Sequence, residues 1–526
     1  MSRTGGPSQV VKAENLCSLL IIRRFSKQSG LSRRHIILYQ SHLKFKNKMK
    51  QFSILLLALF FFFAACGERT TEVPATTDAS LPSSEKLPGL GHEKNSFPDF
   101  GFMVSPAEYN EKYADHPLFR LKADFPEKKP DKMPGFLDID FKKEPLKYIE
   151  AVRDYAFEGN LPDWDPFKNK TRDWYHIPWL HPTTTGPNAY PPNGGTEGFH
   201  GLIKEAPVGP YQLGPDLKGV DGDYSVYAIT LVNDMAGYAM GRMWKDPENP
   251  DPKVLDKRYP DGGFPEGTVF AKLLFTDAPK GTDKVAYLEN PLQWTAYITE
   301  NFWKSSTRTV SKVNLLQMDI SVRDPRADRS ADNPQGTGWV FGTFCYNGQL
   351  NKENKFMNLV PVGLMWGNDP ENKINTTNPF PPVKTVVNKE LKETVIFESE
   401  DLPPQHLGWN GRLNGPADLN TVSCMSCHNA AQYPQVTALV PPSSVPDGGP
   451  TPPAQGGSDE WMEWFQNLEC GTSMNDQVYS TDFSFQVAIA LQNFFTVKNI
   501  SQQGAWASEY QAAPVPIRRG DVTASK

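Results

Sequence analysis

The sequence predicts an α+β fold, an antiparallel β-rich core followed by a cysteine-bearing segment and C-terminal helices. Three observations predict it. Between about Tyr224 and Phe397, short runs rich in β-branched and aromatic residues are separated by Gly, Pro, Asn and Asp, the pattern of an antiparallel sheet. One clear helical pattern precedes this region and two apolar stripes of helical spacing follow it. The 47 prolines and 40 glycines among 526 residues exclude a helical bundle and predict short elements joined by many loops.

Taken in chain order, residues 1–48 carry an Arg/Lys-rich stretch ahead of Met49-Lys50 and the apolar run Phe52–Phe63. This run of about 12 residues, apolar but for Ser53, is too short to span a bilayer but has the length of a signal-peptide core. Met49 is therefore the expected initiator, with residues 1–48 a start-site error or a long leader and residues 49–65 the signal. Phe63-Ala64-Ala65-Cys66-Gly67 resembles the lipobox of bacterial lipoproteins. That resemblance implies acylation of Cys66, which would become the first mature residue; a plain signal with an incidental cysteine is the alternative. Gly67, in place of Asp, implies the outer membrane by analogy with enterobacterial sorting. Residues 66–96 are rich in Pro, Ser, Thr and charge and are expected to form a flexible tether.

Residues 97–223 are expected to be loop-rich, with one helix near 145–157. Pro145 occupies a starting position, Leu146, Ile149, Val152 and Tyr155 recur at helical spacing, and Gly159 supplies a stop. Residues 224–410 form the β-rich region, with expected strands Tyr224–Val232, Gly237–Trp244, Thr268–Phe275, Trp294–Thr299, Val313–Val322, Trp339–Tyr346, Leu359–Trp366 and Thr394–Phe397. Residues 411–500 carry the cysteine motif and the last helices, and 501–526 form a tail. Ser458 is placed to cap a turn bearing Trp461, Met462, Trp464, Phe465 and Leu468. Thr481 is placed to cap a helix with Phe483, Val487, Ala490, Leu491 and Phe494 on one stripe. The Pro/Gly-rich stretch 440–457 joins the motif to these helices. Residues 66–526, about 460, are long enough for two or three cores. No stretch after the signal has 18 consecutive apolar residues. A net charge of -6 gives no indication of a nucleic-acid partner.

Cys424-Met425-Ser426-Cys427-His428 matches the attachment motif of a c-type haem, in which two thiols add across vinyl groups and the histidine ligates iron. With six cysteines and nine histidines in 526 residues, composition alone would produce the pattern roughly once per thousand such chains. A zinc site would need a second ligand pair of similar spacing, and the sequence has none. A redox-active Cys pair would not need the histidine. Haem is attached outside the cytoplasmic membrane, so the export signal and the motif support each other. The expected cofactor is one covalent haem c held by Cys424, Cys427 and His428, with His428 as proximal ligand.

A six-coordinate electron carrier needs a further axial ligand, usually Met or His. Met474, 46 residues beyond His428, is the first candidate, ahead of His406, Met425 and Met462. An ordinary apolar role in a turn is the alternative for Met474. An oxidising compartment permits a Cys345–Cys470 disulfide, although Cys345 also reads as a small buried apolar residue. His176 and His181 lie among Trp174, Tyr175 and Trp179, a cluster that suits packing better than a metal or sugar site. Arg323 and Arg326 suit haem propionates or surface ion pairs equally well.

Gly411-Arg412-Leu413-Asn414-Gly415-Pro416-Ala417-Asp418, ahead of Ser423–His428, resembles a family of large bacterial mono-haem cytochrome c-like proteins. So do Trp339-Val340-Phe341-Gly342-Thr343-Phe344, Trp366-Gly367-Asn368-Asp369-Pro370 and Trp174-Tyr175-His176-Ile177-Pro178-Trp179. The likeness covers roughly residues 140 to 500. It implies the haem and leaves the reaction open. Phe264-Pro265-Glu266-Gly267-Thr268-Val269-Phe270-Ala271-Lys272 more faintly resembles the small β-sheet c-haem proteins, the hydroxylamine-oxidising and cytochrome c-prime beta types. Their likeness implies a sheet packed on the haem and an open distal site, but no position here aligns with their cross-linking lysine.

The expected function is single-electron transfer by a periplasmic haem protein held to the membrane by its lipid anchor, with redox proteins as partners. The alternatives are an open-site haem enzyme or sensor acting on nitrogen oxides or hydroxylamine-like molecules, and a binding lipoprotein with structural haem. The β-rich stretch, Trp339–Tyr346 and Leu359–Trp366 above all, is expected to shield one face of the group, and no residue is assigned a catalytic role.

Overall fold

The period-two runs of the central region pair with one another in a single antiparallel sheet. The computed structural model describes residues 104–498, apart from 161–162, 181–195, 215–223, 282–283, 300–307, 374–386, 405–406 and 442–455. All of them fall in the unit Ser83–Lys526. The leader, signal, tether, tail, Cys66, His181, His406 and most of the 440–457 loop lie outside the described residues.

The strands are β1 (Trp174–Tyr175), β2 (Ile203–Lys204), β3 (Val226–Asn233), β4 (Val269–Thr276), β5 (Gln293–Thr299), β6 (Arg308–Arg323), β7 (Trp339–Tyr346), β8 (Leu359–Met365) and β9 (Thr394–Ile396). They run in the order β1-β3-β4-β6-β7-β8-β9, with β2 also on β3 and β5 also on β6. β6 is long because its first half pairs β5 and its second half pairs β4 on one edge and β7 on the other. Successive side chains of a strand point to opposite faces, so register decides which residues share a face. Lys272, Asp319 and Thr343 stand side by side across β4, β6 and β7.

Helix α1 (Pro145–Phe157) forms where its proline and spacing predict it. Its buried stripe is Tyr148, Ile149, Val152, Tyr155, Ala156 and Phe157, whereas Leu146 is 47 % exposed. Ile149 presses on β7 from one face: a Cβ on Gly342 would lie 3.0 Å from its Cδ1. Tyr148 Oη donates to Asp324 Oδ2 at 3.0 Å, fixing the helix to the end of β6. Thr343 neighbours Gly342 and so projects from the other face, which is left for the C-terminal segment.

One expected strand is a helix. Gly237–Trp244 lies within and just beyond α2 (Asp234–Met243). Asn233 ends β3 and caps α2, its Oδ1 accepting from Ala236 N at 3.2 Å, and Asp234 adds a favourable charge in the first turn. Gly237 and Gly241 weaken the helical signal but are needed for close approach: a Cβ would sit 2.7 Å from Tyr175 and 3.0 Å from Phe125. The other expected strands form, Trp339–Tyr346 with the expected bounds and the rest with shifted ends.

The C-terminal segment contributes α3 (Cys424–His428), α4 (Asp459–Met462), α5 (Phe485–Lys498) and a small hairpin of β10 (Gln432–Tyr433) with β11 (Tyr479–Ser480). Ser458 caps α4 as expected, its Oγ accepting from Trp461 N at 3.2 Å. The cap ahead of α5 is Ser484, not Thr481: Ser484 Oγ accepts from Val487 N at 3.3 Å. Phe483 therefore precedes that helix and does not join its stripe. The two- or three-core expectation resolves into one main cluster running from Ala123 through the sheet to Phe495, with smaller clusters beside it. Among the described residues, no helix is long and apolar enough to cross a membrane.

Candidate functional site

The motif Ser423-Cys424-Met425-Ser426-Cys427-His428 folds as a single capped turn. Ser423 Oγ accepts from Ser426 N at 3.1 Å while Ser423 N donates to Ser426 Oγ at 2.8 Å, a reciprocal capping box. Ser423 Oγ also donates to Asn368 Oδ1 at 2.9 Å. Met425 faces the core, which turns Cys424, Cys427 and His428 toward a cleft between α3 and the sheet.

Arg412 braces the approach to this turn. It is fully buried, and its guanidinium donates to the carbonyls of Asn368, Asp369, Asn372 and Trp409 at 2.6 to 3.3 Å. Its plane lies over Trp409 and Phe465, at 4.8 and 5.0 Å from the ring centroids. Burial lowers its pKa to about 10, against the pull of Asp369 and Glu393. Gly415 passes so close to β6 that a Cβ would lie 2.3 Å from the Gln317 side chain. That approach lets Gln317 Oε1 accept from Ala417 N at 2.9 Å.

The cleft encloses about 1190 Å³ of non-atom space, open solvent included. Its apolar wall includes Phe270 and Leu274 from β4, Trp339 and Phe341 from β7, and Phe483 and Phe485. The β-rich region thus faces the cysteine motif, but through β4, β6 and β7; β8, expected to be part of the shield, supplies none of the lining. The first turn of α5 closes another side.

His428 Nδ1 lies 2.6 Å from the carbonyl oxygen of Phe483. A carbonyl only accepts, so Nδ1 carries the hydrogen and Nε2 is the basic nitrogen. Phe341 and Phe485 pack on the ring, with centroids 4.8 and 5.3 Å away. Phe483 is held in a left-handed conformation, φ 64°, after Asp482 at φ 50°. Such backbone costs about 1–3 kcal/mol per residue and persists only where its surroundings enforce it. The enforcing group is Asp482, whose carboxylate is buried and accepts from Phe264 N at 2.6 Å, Gly471 N at 2.8 Å and Trp339 Nε1 at 2.9 Å.

A polar patch interrupts the apolar wall. Gln317 Nε2 donates to both oxygens of Asp319, at 2.8 and 2.9 Å, and to Asp418 Oδ2 at 2.8 Å. Thr343 Oγ1 donates to Asp319 Oδ1 at 2.9 Å and lies 3.7 Å from Cys424 Sγ. Lys272 pairs with Glu205 at 2.8 Å. Burial, with Asp418 nearby, pushes the Asp319 carboxyl up to about 7. Burial, Asp319 and Asp418 together push the Cys424 thiol well above its ordinary value. That is the reverse of the electropositive setting of a reactive thiol. Cys424 and Cys427 carry no disulfide.

The remaining sequence candidates are placed elsewhere. Met474 is half-buried against the cluster of Trp409 and Trp461 and that of Ala430 and Ala431, and it does not line the cleft. Met425 belongs to the main core and Met462 to the tryptophan cluster. Cys345 and Cys470 are both free thiols, with Cys345 fully buried in β7 as the apolar reading anticipates. His176 is structural: its Nδ1 accepts from Lys122 N at 2.9 Å, and burial lowers its pKa to about 3. Arg323 pairs with Asp328 and Arg326 with Asp324, and neither lines the cleft.

Among the described residues no group of three or more His, Cys, Asp or Glu converges as a metal site, Cys424, Cys427 and His428 included. Sequence reasoning missed Phe483, Asp319, Gln317 and Thr343; for Gln317 and Asp319 a local signal was present, polar residues at alternate positions among the apolar residues of the second half of β6. Comparison of the chain with protein-family models, curated proteins and solved structures gives no match.

Proposed function

We propose that the protein is a lipid-tethered c-type mono-haem protein of the bacterial cell envelope that passes single electrons between redox partners. The observation that carries this reading is the 2.6 Å contact of His428 Nδ1 with the Phe483 carbonyl. Iron-ligating histidines characteristically donate their second ring N–H to such an acceptor, which orients the ring and raises the basicity of the ligating nitrogen. The two thiols stand on the same turn as that histidine, beside a cleft walled by aromatic rings. Zinc is the weaker reading, because it would call for a second ligand pair of similar spacing, which the sequence does not have.

Cys424 and Cys427 would hold the haem, and His428 would ligate its iron. When bound, the haem supplies a one-electron couple whose potential depends on axial ligation, burial and nearby hydrogen bonds. Phe341, Phe483 and Phe485 keep water from the ligand ring, and Asp482 keeps the accepting carbonyl in place.

A second reading, an open-site haem enzyme or sensor for small nitrogen compounds, is favoured by one observation. Among the described lining residues there is no methionine and no histidine besides His428. The reduced protein with and without carbon monoxide separates the two. Denatured protein is expected to keep its haem, with a pyridine haemochrome of the two-thioether type. Rapid carbon monoxide binding by the native reduced form marks an open site, and resistance marks a six-coordinate carrier. Haem extractable with acid acetone overturns both readings.

The tether is tested separately. Metabolic labelling with a fatty-acid analogue is expected to mark the protein, and Cys66→Ser to abolish both label and membrane retention. An unlabelled wild type would show that residues 49–65 are an ordinary signal.

A further inference from the structure

The carboxylates on the sheet wall of the cleft are not needed to attach a haem or to ligate iron. They are nonetheless built into it from distant parts of the chain. Asp319 comes from β6 and Asp418 from the connection ahead of the cysteine turn, and one amide group, Gln317 Nε2, donates to both. Both are half-buried and line the cleft. We infer that Asp319 and Asp418 form a proton-binding pair of this cleft, which takes up one proton from solvent when one electron enters. The inference rests on the haem reading proposed above.

The physical basis is charge. Two carboxylates sharing one donor in a poorly solvated wall cannot both ionise at low cost, so the pair retains a proton to higher pH than either residue alone. The Asp319 carboxyl is pushed up toward neutrality in keeping with this, by burial first and by Asp418 second. The other groups facing Asp319 do not remove the effect. Lys272 on β4 pulls the other way but is itself paired with Glu205. Gln317 and Thr343 donate hydrogen bonds, and Cys424 on α3, joined to the haem as a thioether, would carry no charge.

An added electron places one more negative charge beside the pair and raises its proton affinity. The same coupling read in the other direction makes the reduction potential depend on pH. The step balances as one electron from a redox protein and one proton from water. The only bond formed is O–H on a carboxylate, and no other bond changes. The protein would then deliver an electron and a proton together, which suits a partner or substrate whose reduction consumes both.

The test uses the holoprotein, with covalent haem first verified by its pyridine haemochrome. The midpoint potential of the wild type is expected to fall around neutral pH, approaching the limiting slope of about 59 mV per pH unit, tenfold per unit for a one-electron couple. Asp319→Asn and Asp418→Asn are each expected to flatten that slope while leaving the haem attached. An independent reading is the infrared band of a protonated carboxyl near neutral pH, expected in the wild type and lost in Asp319→Asn. A pH-independent potential in the wild type, or an unchanged slope in both variants, overturns the inference and leaves the haem reading intact. Protein without covalent haem overturns the proposed function instead, and the coupling with it.

Discussion

Cys424→Ala/Cys427→Ala is expected to abolish covalent haem, leaving a protein that shows no haem stain after denaturing electrophoresis. Each single replacement is expected to reduce holoprotein sharply, because one thioether remains available. His428→Ala is expected to retain attached haem but to change its spectrum, since the ligating ring is gone. The fold should survive these changes. The turn is held by the Ser423–Ser426 capping box and by Asn368, none of which involves a thiol. Cys424 Sγ touches Thr343 Oγ1 at 3.7 Å, a weak contact whose loss costs little. Far-ultraviolet circular dichroism of the double variant should therefore match the wild-type apoprotein. Undiminished haem stain in the double variant would end the c-type reading.

Arg412→Ala is expected to lower stability by about 3–5 kcal/mol, the scale of removing one partner from a buried charged network. The side chain is fully buried and its guanidinium donates to four carbonyls. Truncation removes the side-chain donor from all four carbonyls and opens a gap beside Trp409 and Phe465. Lysine is not expected to rescue the loss, because a single ammonium cannot span acceptors spread from Asn368 to Trp409. The carbonyls of Asn368, Asp369, Asn372 and Trp409 tie the loop after β8 to the stretch that leads into the cysteine turn, so the same variant should also lower haem incorporation by loosening that approach. Denaturant unfolding of the apoprotein measures the first effect. A loss under about 1 kcal/mol would show that water replaces the guanidinium at that site.

Much of the local structure was legible. Pro145 and the spacing behind it specify α1, and Trp339–Tyr346 reads as a strand and is one. The α2 region misled because Gly237 and Gly241 lower helix propensity for the sake of close approach to Tyr175 and Phe125, a requirement invisible without the packed neighbours. The cap before α5 was displaced from Thr481 to Ser484 for a similar reason. Asp482 binds three separate segments, and holding them places Asp482 and Phe483 in left-handed backbone just outside the helix.

The sequence by itself placed Cys424, Cys427 and His428 together, because they are neighbours whose spacing matches one turn of chain. It also determined that an antiparallel sheet precedes them, because side-chain alternation is a local property. Only the tertiary structure decided which strands meet the motif. Strand order depends on pairing across long separations: β6 pairs β4, β5 and β7, which brings Phe270, Asp319 and Phe341 to one wall and leaves β8 outside it. The acceptor for His428 and the partners of Asp319 were hidden for the same physical reason. Phe483 is 55 residues from His428, and Gln317 is 101 from Asp418. Hydrogen bonds between such residues are set by the closure of the whole chain around its core, which no local pattern encodes.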